Sequence, residues 1–586
     1  AQTHNRVGDL TGNARQIRQA MRWAEDQGAD ALLLPEMGLT GYPIEDLAFR
    51  HQFVTDARTA LRRLAAEAGG VTTLVGTTDR VDPQRTWDTR ERQVANSQAV
   101  LWDGELRGAY HKVLLPTYDV FDEARTFAAG TAPDAVWRIG SALVGVCICE
   151  DLWSEGDGPP EAQARAGAQA LLVANGSPFY RGKPEVRRAR VAAVARRTGL
   201  PVVYVNCVGG HDDLVFDGGS FAVDADGREL CAAAQFAEDR FVVEVPLAPS
   251  IRGATRNRSV RTVHLRRDRP APRPRPAAPH APPIEELEQV WQALRMGLAD
   301  FVEANGFEGV AVALSGGVDS TVTLLAAAEA VGPDRVLAVA MPEGEHQAGE
   351  LEDARVLARG AGVELVTHDL GEILDQAARH LGGLDEASDR ALGELASRAR
   401  GMLLGALAAE RRLLALATVN KTELAIGATS LAGETAGGFA PLKDCPKRLV
   451  YDLADWHNER HGLIPQRTLD RRATLRTRAG AELPPYAVLD PIVEMYVSGE
   501  EELPEIVAAG YDPELVRGIL QLVDDAEFKR RLAPLGTKIT NRAFGQDLRM
   551  PISTRWRPYQ TEEEALLPDD ADEAAVPFES GEALTG

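Results

Sequence analysis

Cysteine is scarce, with five residues in a chain of 586: Cys147, Cys149, Cys207, Cys231 and Cys445. The count is odd, and neither a CxxC pair nor a Cys/His cluster of zinc spacing accompanies it, which excludes a disulfide framework and points to a reducing, cytoplasmic setting. Long apolar runs are missing as well. No stretch reaches the ~18 residues that a membrane helix requires, and no basic-then-apolar leader opens the chain, so no membrane partner is expected. Positive charge is in deficit: 64 Lys plus Arg stand against 87 Asp plus Glu, a formal net charge of −23. That balance argues against nucleic acid as a partner and leaves room only for a local basic pocket.

Hydrophobic residues make up 44% and charged residues 26%, the composition of an ordinary globular protein. At this length two large domains are expected. The boundary is visible at RRDRPAPRPRPAAPHAPP (Arg266 to Pro283), where proline at nearly every second position prevents helix and sheet pairing. Residues 1–262 are therefore assigned to a first domain, 263–283 to a Pro/Arg-rich connector and 284–557 to a second domain. No Lys or Arg follows Arg557, while nine acidic residues fall in the last 29, so 558–586 reads as an acidic disordered tail.

The first domain alternates helix and strand. Asn13 to Gln27 has helical spacing, with Thr11 or Asn13 near its start and Gly28 after its end. Apolar runs of strand length occupy Ala31 to Leu34, Ser141 to Cys149, Ala170 to Ala174 and Pro201 to Asn206, each ending in polar residues. Strands buried on both faces read this way, so this half is α/β or a layered α-β-β-α sandwich. The second half opens with a helix, Glu286 to Asn305. Strands Gly309 to Leu314, Val336 to Met341 and Leu413 to Thr418 follow, with a helix at Thr321 to Ala330. Such repeats outline a doubly wound parallel sheet.

Three residues in the first half stand at ends of expected strands: Glu36, Lys112 and Cys149. If they converge, a thiol nucleophile, a carboxylate base and an ammonium facing an oxyanion are available. Their spacing does not establish convergence. The segments LLLPEMGLTGYPIEDL, AYHKVLLPTYDVFDEARTF and VGVCICEDLW resemble the signature segments of the nitrilase superfamily, in particular its glutamine-amidase branch. The resemblance implies that Glu36 is the base, Lys112 the oxyanion partner, Cys149 the nucleophile and Glu123 a second carboxylate beside the lysine. It also implies glutamine contacts at Tyr118, Glu150, Ser177 and Lys183. Cys147 reads as a core thiol, and His111 and His346 as surface or core residues.

The second half carries Ser315-Gly316-Gly317-Val318-Asp319-Ser320 between an apolar strand and a helix. Glycines permit close backbone approach, free amides at a helix start suit a phosphate, and Asp319 can hold Mg²⁺. The Lys of a Walker loop is absent. SGGVDS resembles the loop of the ATP pyrophosphatases. TVNKTELAIG, the turn Gly433 to Gly438 with APLKDCPK after it, LPPYAVLDPI and FKRRLAPLGTKITNRAFGQDLRMPI are similar to segments of NAD synthetases. Together the two halves resemble the glutamine-dependent NAD synthetase family. That resemblance implies ATP as co-substrate, Mg²⁺ at Asp319 and Glu423, ATP contacts from the Ser315–Ser320 loop, Thr418 and Lys447, and nucleotide or acceptor contacts from Asp444 and Lys538. It further implies glutamine and nicotinic acid adenine dinucleotide as substrates, and a homo-oligomer.

Departures from the family pattern cluster in the second half. An acidic stretch, Met341 to Gln347, replaces a hydroxyl-rich loop. The acceptor-binding Asn falls on Glu394, a Tyr is lost from Ser430 to Glu434, and Arg471 to Leu475 replaces a KPPSAEL-like stretch. In the first half Cys207 and His211 stand where Gln is usual. Two further readings therefore remain open at this level: a paralogue that amidates a different carboxylic acid, and an amidase or binding protein whose second domain is inactive.

Overall fold

A computed structural model describes residues 1–249, 263–265, 279–343, 348–380, 389–471 and 483–559, apart from 83, 85, 89, 90, 555 and 558. His346, most of the Pro/Arg-rich connector, residues 472–475 and the acidic tail beyond 559 lie outside them. The chain divides into two compact units, Ala1–Glu285 and Glu286–Gly586.

Among the described residues the first unit holds a two-stranded sheet and two large sheets. One has β1 (Ala31–Leu33), β2 (Thr72–Arg80), β3 (Val94–Trp102) and β4 (Glu105–His111) in that order, with only the β1–β2 pair parallel. The other is built from β5 (Val136–Ile139), β6 (Ala142–Ile148), β7 (Ala170–Asn175), β8 (Val202–Asn206), β11 (Phe221–Val223), β12 (Glu229–Ala232) and β13 (Val263–Leu265), while β9 (Val208–His211) and β10 (Leu214–Asp217) form a separate hairpin. Its order is β12-β11-β8-β7-β6-β5-β13, with β6, β7 and β8 parallel. Alternate residues along each strand enter different layers, as the period of two demands. Leu33, Leu74 and Ala174 lie in the cluster between the sheets, whereas their neighbours Leu32, Val75 and Val173 face outward. Outside the first sheet pack α1 (Leu10–Gln27) and α2 (His51–Ala66), through Ile17, Ala20, Leu61 and Leu64. The short α3 (Glu123–Thr126) follows β4. Outside the second sheet lie α4 (Pro159–Arg165) and α5 (Lys183–Thr198), the latter through Val191, Val194 and Ala195. These layers are the α-β-β-α sandwich, and burial on both faces explains the unbroken apolar runs.

Two boundaries differ from the sequence reading. Asp9 caps α1, its carboxylate accepting from Gly12 N at 2.8 Å, so the helix begins at Leu10. Asn13 is instead buried, donating to the carbonyls of Arg6 and Leu39. The first unit also extends past residue 262: Val263–Leu265 pairs in parallel with Trp137–Ile139, and His280 bridges Ala232. Backbone pairing overrides composition there.

A buried ion pair braces this unit. Arg187 of α5 donates to Asp217 Oδ1 at 2.5 Å, to Ser177 Oγ at 3.1 Å, and to the carbonyls of Ser177 and Pro178. Asp217→Ala strands that guanidinium without its counter-charge, and a loss of about 3–5 kcal/mol is expected, read as a lowered urea midpoint for the unfolding of the first unit. A midpoint within error of the parent would contradict it.

In the second unit β14 (Gly309–Ala313), β15 (Val336–Ala340), β16 (Glu364–Thr367) and β17 (Leu413–Leu416) are all parallel, in the order β16-β15-β14-β17. Helices α6 (Glu286–Ala304), α7 (Val318–Val331), α8 (Ala348–Ala361), α9 (Gly371–His380), α10 (Asp389–Glu410), α11 (Lys421–Ala425) and α12 (Lys447–His461) accompany it. The order reverses at β14, so the segments leaving β14 and β17 open side by side, where doubly wound sheets bind ligands. Helix α7 begins at Val318, before the expected Thr321, which brings Asp319 and Ser320 into its first turn. Among the described residues, no helix of the chain is long and apolar enough to cross a membrane.

Candidate functional sites

In the first unit four polar side chains are buried together. Glu36 lies in the turn after β1, Lys112 follows β4, Glu123 opens α3 and Cys149 follows β6. Lys112 Nζ donates to Glu36 Oε1 at 2.8 Å and to Glu123 Oε1 at 2.9 Å. Asn96 Nδ2 donates to Glu36 Oε1 at 2.6 Å, the Gly176 amide to Glu36 Oε2 at 2.7 Å, and Tyr42 Oη to Glu123 Oε1 at 2.9 Å. A side chain at Gly176 would meet the Tyr42 ring at 2.9 Å, so this close approach requires glycine.

Cys149 sits at a sharp corner with φ of 41°, a conformation rare for residues with a side chain. Asp151 holds the corner. Its carboxylate accepts from the amides of Ile148, Leu114 and Val113 and from Tyr110 Oη. Burial, then the Glu36 charge, push the Cys149 thiol well above its ordinary range, only partly offset by Lys112. The thiol is therefore protonated at rest and requires a base. Burial alone would lower Lys112, but Glu123 and Glu36 outweigh it and hold the ammonium charged. Burial raises Glu123 to about 7 against the opposing Lys112.

A cavity of about 660 Å³ beside this group is lined by Arg92, Leu114, Leu115, Tyr118, Phe127 and Glu150. Tyr118 donates to Glu150 Oε2 at 2.8 Å. Lys183 lies 4.4 Å from the Trp153 ring centre, and burial, with Arg187 nearby, lowers its amine to about 8. Ser177 Oγ accepts from Arg187, and its amide donates to Asn206 Oδ1 at 2.9 Å.

The loop Ser315–Ser320 leaves β14 through Gly316 at φ +79°, a left-handed turn that glycine adopts freely. The amide of Gly317 donates to Ser315 Oγ at 3.3 Å, Ser320 Oγ to the Gly317 carbonyl at 3.0 Å, and Val318 anchors the start of α7 in the core. Beside the loop a cleft of about 70 Å³ is lined by Ser315, Met341, Glu350 and Arg400. Asp319 accepts from Asn420 Nδ2 at 2.9 Å, and Lys447 Nζ lies between Asp319 and Glu423, 3.2 Å from the latter. Burial raises Glu423 to about 7 against the pull of Lys447, which the two carboxylates hold above its ordinary value. Thr418 is half-buried, just past the end of β17.

Two expected ligand contacts, Asp444 and Lys538, have partners within the fold. Asp444 is buried, its carboxylate accepting from the amides of Ile539 and Thr540 and from Thr540 Oγ1, and paired with Lys421 at 2.9 Å. Lys538 is buried against Asp547 and donates to the Asn541 carbonyl. Both are satisfied within the fold, because a charge this deep requires an internal partner. The replaced acceptor positions lie together: Ser430 Oγ donates to Glu394 Oε2 at 2.7 Å, Arg398 pairs with the same carboxylate, and the Ser430 amide donates to Glu434. Glu343, from the acidic stretch after β15, pairs with Arg400.

Comparison with known proteins bears on both sites. The carbon-nitrogen hydrolase family matches residues 1–252, and the NAD synthase family residues 290–533. Similar over nearly the whole chain is the glutamine-dependent NAD(+) synthetase of Thermotoga maritima, 36% identical, covering 95% of this chain and 98% of that protein. The chain belongs to the glutamine-dependent NAD synthetase family. A Xylella fastidiosa member is 38% identical over 94% of this chain and 97% of its own. A solved family structure from Acinetobacter baumannii, in complex with ADP, is 33% identical with a TM-score of 0.70, covering 95% of this chain and 98% of that one. The family structure from Cytophaga hutchinsonii, at 19% identity and a TM-score of 0.76, shares the fold.

Four contributors went unnoticed in the sequence: Tyr42, Asn96, Asp151 and Asn420. One signal was available, since Asn96-Ser97-Gln98 interrupts the middle of β3 with three polar residues, all fully buried.

Proposed function

We propose that this chain makes NAD from nicotinic acid adenine dinucleotide, with glutamine as nitrogen source and ATP as activator. The observation that carries the reading is the buried chain Glu36–Lys112–Glu123 beside Cys149, in a polypeptide that also brings Asp319, in the first turn of α7, and Glu423 of α11 to the one ammonium of Lys447. Glu36 takes the Sγ proton, and the sulfur attacks the glutamine carboxamide while Lys112 faces the developing oxyanion. The C–N bond breaks as the proton passes to nitrogen, ammonia leaves, and water hydrolyses the thioester to glutamate. Tyr118, Glu150, Ser177 and Lys183 receive the glutamine.

In the second unit the acceptor carboxylate attacks the α-phosphorus of ATP, pyrophosphate leaves, and ammonia displaces AMP from the acyl adenylate to give the amide. The amides and hydroxyls of Ser315–Ser320 receive phosphate, with Thr418 beside them, and Glu394 lies toward the acceptor. Asp319 and Glu423 fit a divalent cation, since the ammonium between them already stands in for one. Mg²⁺ bound there would neutralise phosphate charge, freeing Lys447 for the nucleotide. Glu394 also motivates a second reading, a different carboxylic acid as acceptor. One assay separates the two. With ATP, Mg²⁺, glutamine and nicotinic acid adenine dinucleotide, NAD and AMP should appear in equal amounts; glutamate without either moves the search to other acids.

Tyr42→Phe removes the 2.9 Å hydrogen bond to Glu123. A hydrogen bond to a charged group is worth about 1.5–3 kcal/mol, so glutamine hydrolysis should slow about tenfold or more while ammonium-supported amidation is unchanged. An equal loss in both would show a general structural defect instead.

A further inference from the structure

The C-terminal halves of α7 and α12 hold a cluster that the proposed reaction does not use. His457 and His461 stand one turn apart on α12, and Glu329 reaches them from α7, 128 positions earlier than His457. One ligand atom from each residue lies within 4.8 Å of the others. The His457 and Glu329 side chains meet at 2.9 Å, and the two imidazole rings are 4.4 Å apart between centres.

Two histidines four residues apart on one helix face, with a carboxylate from a neighbour, form a donor set suited to a borderline transition ion rather than to Mg²⁺. The His457 ring is 2% exposed; its Nε2 is the nitrogen that meets Glu329 Oε1, and its Nδ1 has no hydrogen-bond partner among the described residues. Buried ring nitrogens ordinarily have one. Trp291 Nε1 donates to Glu329 Oε2 at 2.9 Å, the kind of outer contact that orients a ligating carboxylate. Arg295, 3.4 Å from the same oxygen, opposes an added cation and should keep the affinity modest. Tetrahedral coordination at ~2.1 Å separates donors by about 3.4 Å, so donors up to 4.8 Å apart have to close in by at most about 1.4 Å, and His461, which is exposed, is free to move.

We propose that Glu329, His457 and His461 form a binding site for a Zn²⁺-like ion that clamps α7 to α12. The first turns of these helices carry Asp319 and Lys447, ten residues before Glu329 and His457 respectively, or ~15 Å along each axis. The ion would thus brace the pair of helices that presents the loop carboxylate and its ammonium.

The test is a titration of chelator-treated full-length protein with Co²⁺, followed by visible absorption. A saturable nitrogen–oxygen ligand-field band is expected at a single equivalent, without a thiolate charge-transfer band, displaced by Zn²⁺ and indifferent to Mg²⁺. His461→Ala and Glu329→Gln should weaken binding about tenfold or more, while Cys149→Ala and Asp319→Asn keep it. The same affinity in His461→Ala, loss of the band in Asp319→Asn, or no saturable binding at all would overturn the assignment.

Discussion

Cys149→Ala should abolish glutamine-driven NAD formation while ammonium-driven formation continues at the parental rate. The expected loss of glutamine hydrolysis is about 10⁴-fold or more, because removal of a nucleophile is seldom compensated. The substitution deletes a single sulfur from a corner held by its neighbour: the four contacts of Asp151 to Ile148, Leu114, Val113 and Tyr110 are untouched. Folding should survive. The readouts are glutamate release from glutamine and NAD formation from ammonium in the same preparation. Residual glutaminase activity within tenfold of the parent would mean that Cys149 is not the nucleophile. Loss of the ammonium-driven reaction as well would mean that the change reaches beyond the first unit.

Asp319→Asn should have the opposite pattern. Asparagine keeps the shape and can still meet Asn420, but removes one of the two carboxylates facing Lys447. A cation bound by the pair loses several kcal/mol of charge stabilisation, which at about 1.4 kcal/mol per decade is a fall of about 10³-fold in NAD formation from either nitrogen source. Added ammonium cannot rescue it. Glutamate release, measured alone, should persist, since Cys149 and Glu36 lie in the other unit. Pyrophosphate exchange into ATP that survives the substitution would contradict the role given to Asp319.

Much of the fold was legible because its determinants are local. Apolar runs such as Ala170–Ala174 had to be strands buried on both faces, and the alternation of Val173 and Ala174 between layers explains why no polar residue interrupts them. The start of α1 was misplaced because Asn13 has the chemistry of a cap yet is drawn inside by the Arg6 and Leu39 carbonyls. Strand β13 was hidden because its three residues abut a proline-rich stretch and pair with Trp137–Ile139, far away in sequence.

The site divided along similar lines. Glu36, Lys112 and Cys149 were brought forward by resemblance, not by spacing, since 76 residues separate the first two. Asn96 and Tyr42 hydrogen-bond to Glu36 and Glu123 and have no motif of their own. The partners of Asp444 and Lys538, Thr540 and Asp547, are visible only once the C-terminal segment folds back. The clustered departures at Glu394 and Ser430 read as separate losses in sequence, whereas in space they hydrogen-bond to one another. His457 and His461 acquire meaning only through Glu329.

The most direct test of the account follows the nitrogen itself. The protein is supplied with glutamine labelled with ¹⁵N in its side-chain amide, together with ATP, Mg²⁺, nicotinic acid adenine dinucleotide and a small amount of unlabelled ammonium, and the NAD is analysed by mass. The account predicts NAD carrying ¹⁵N in its carboxamide, one AMP per NAD, and no labelled product from Cys149→Ala. Labelled ammonium accumulating beside unconverted dinucleotide would contradict it.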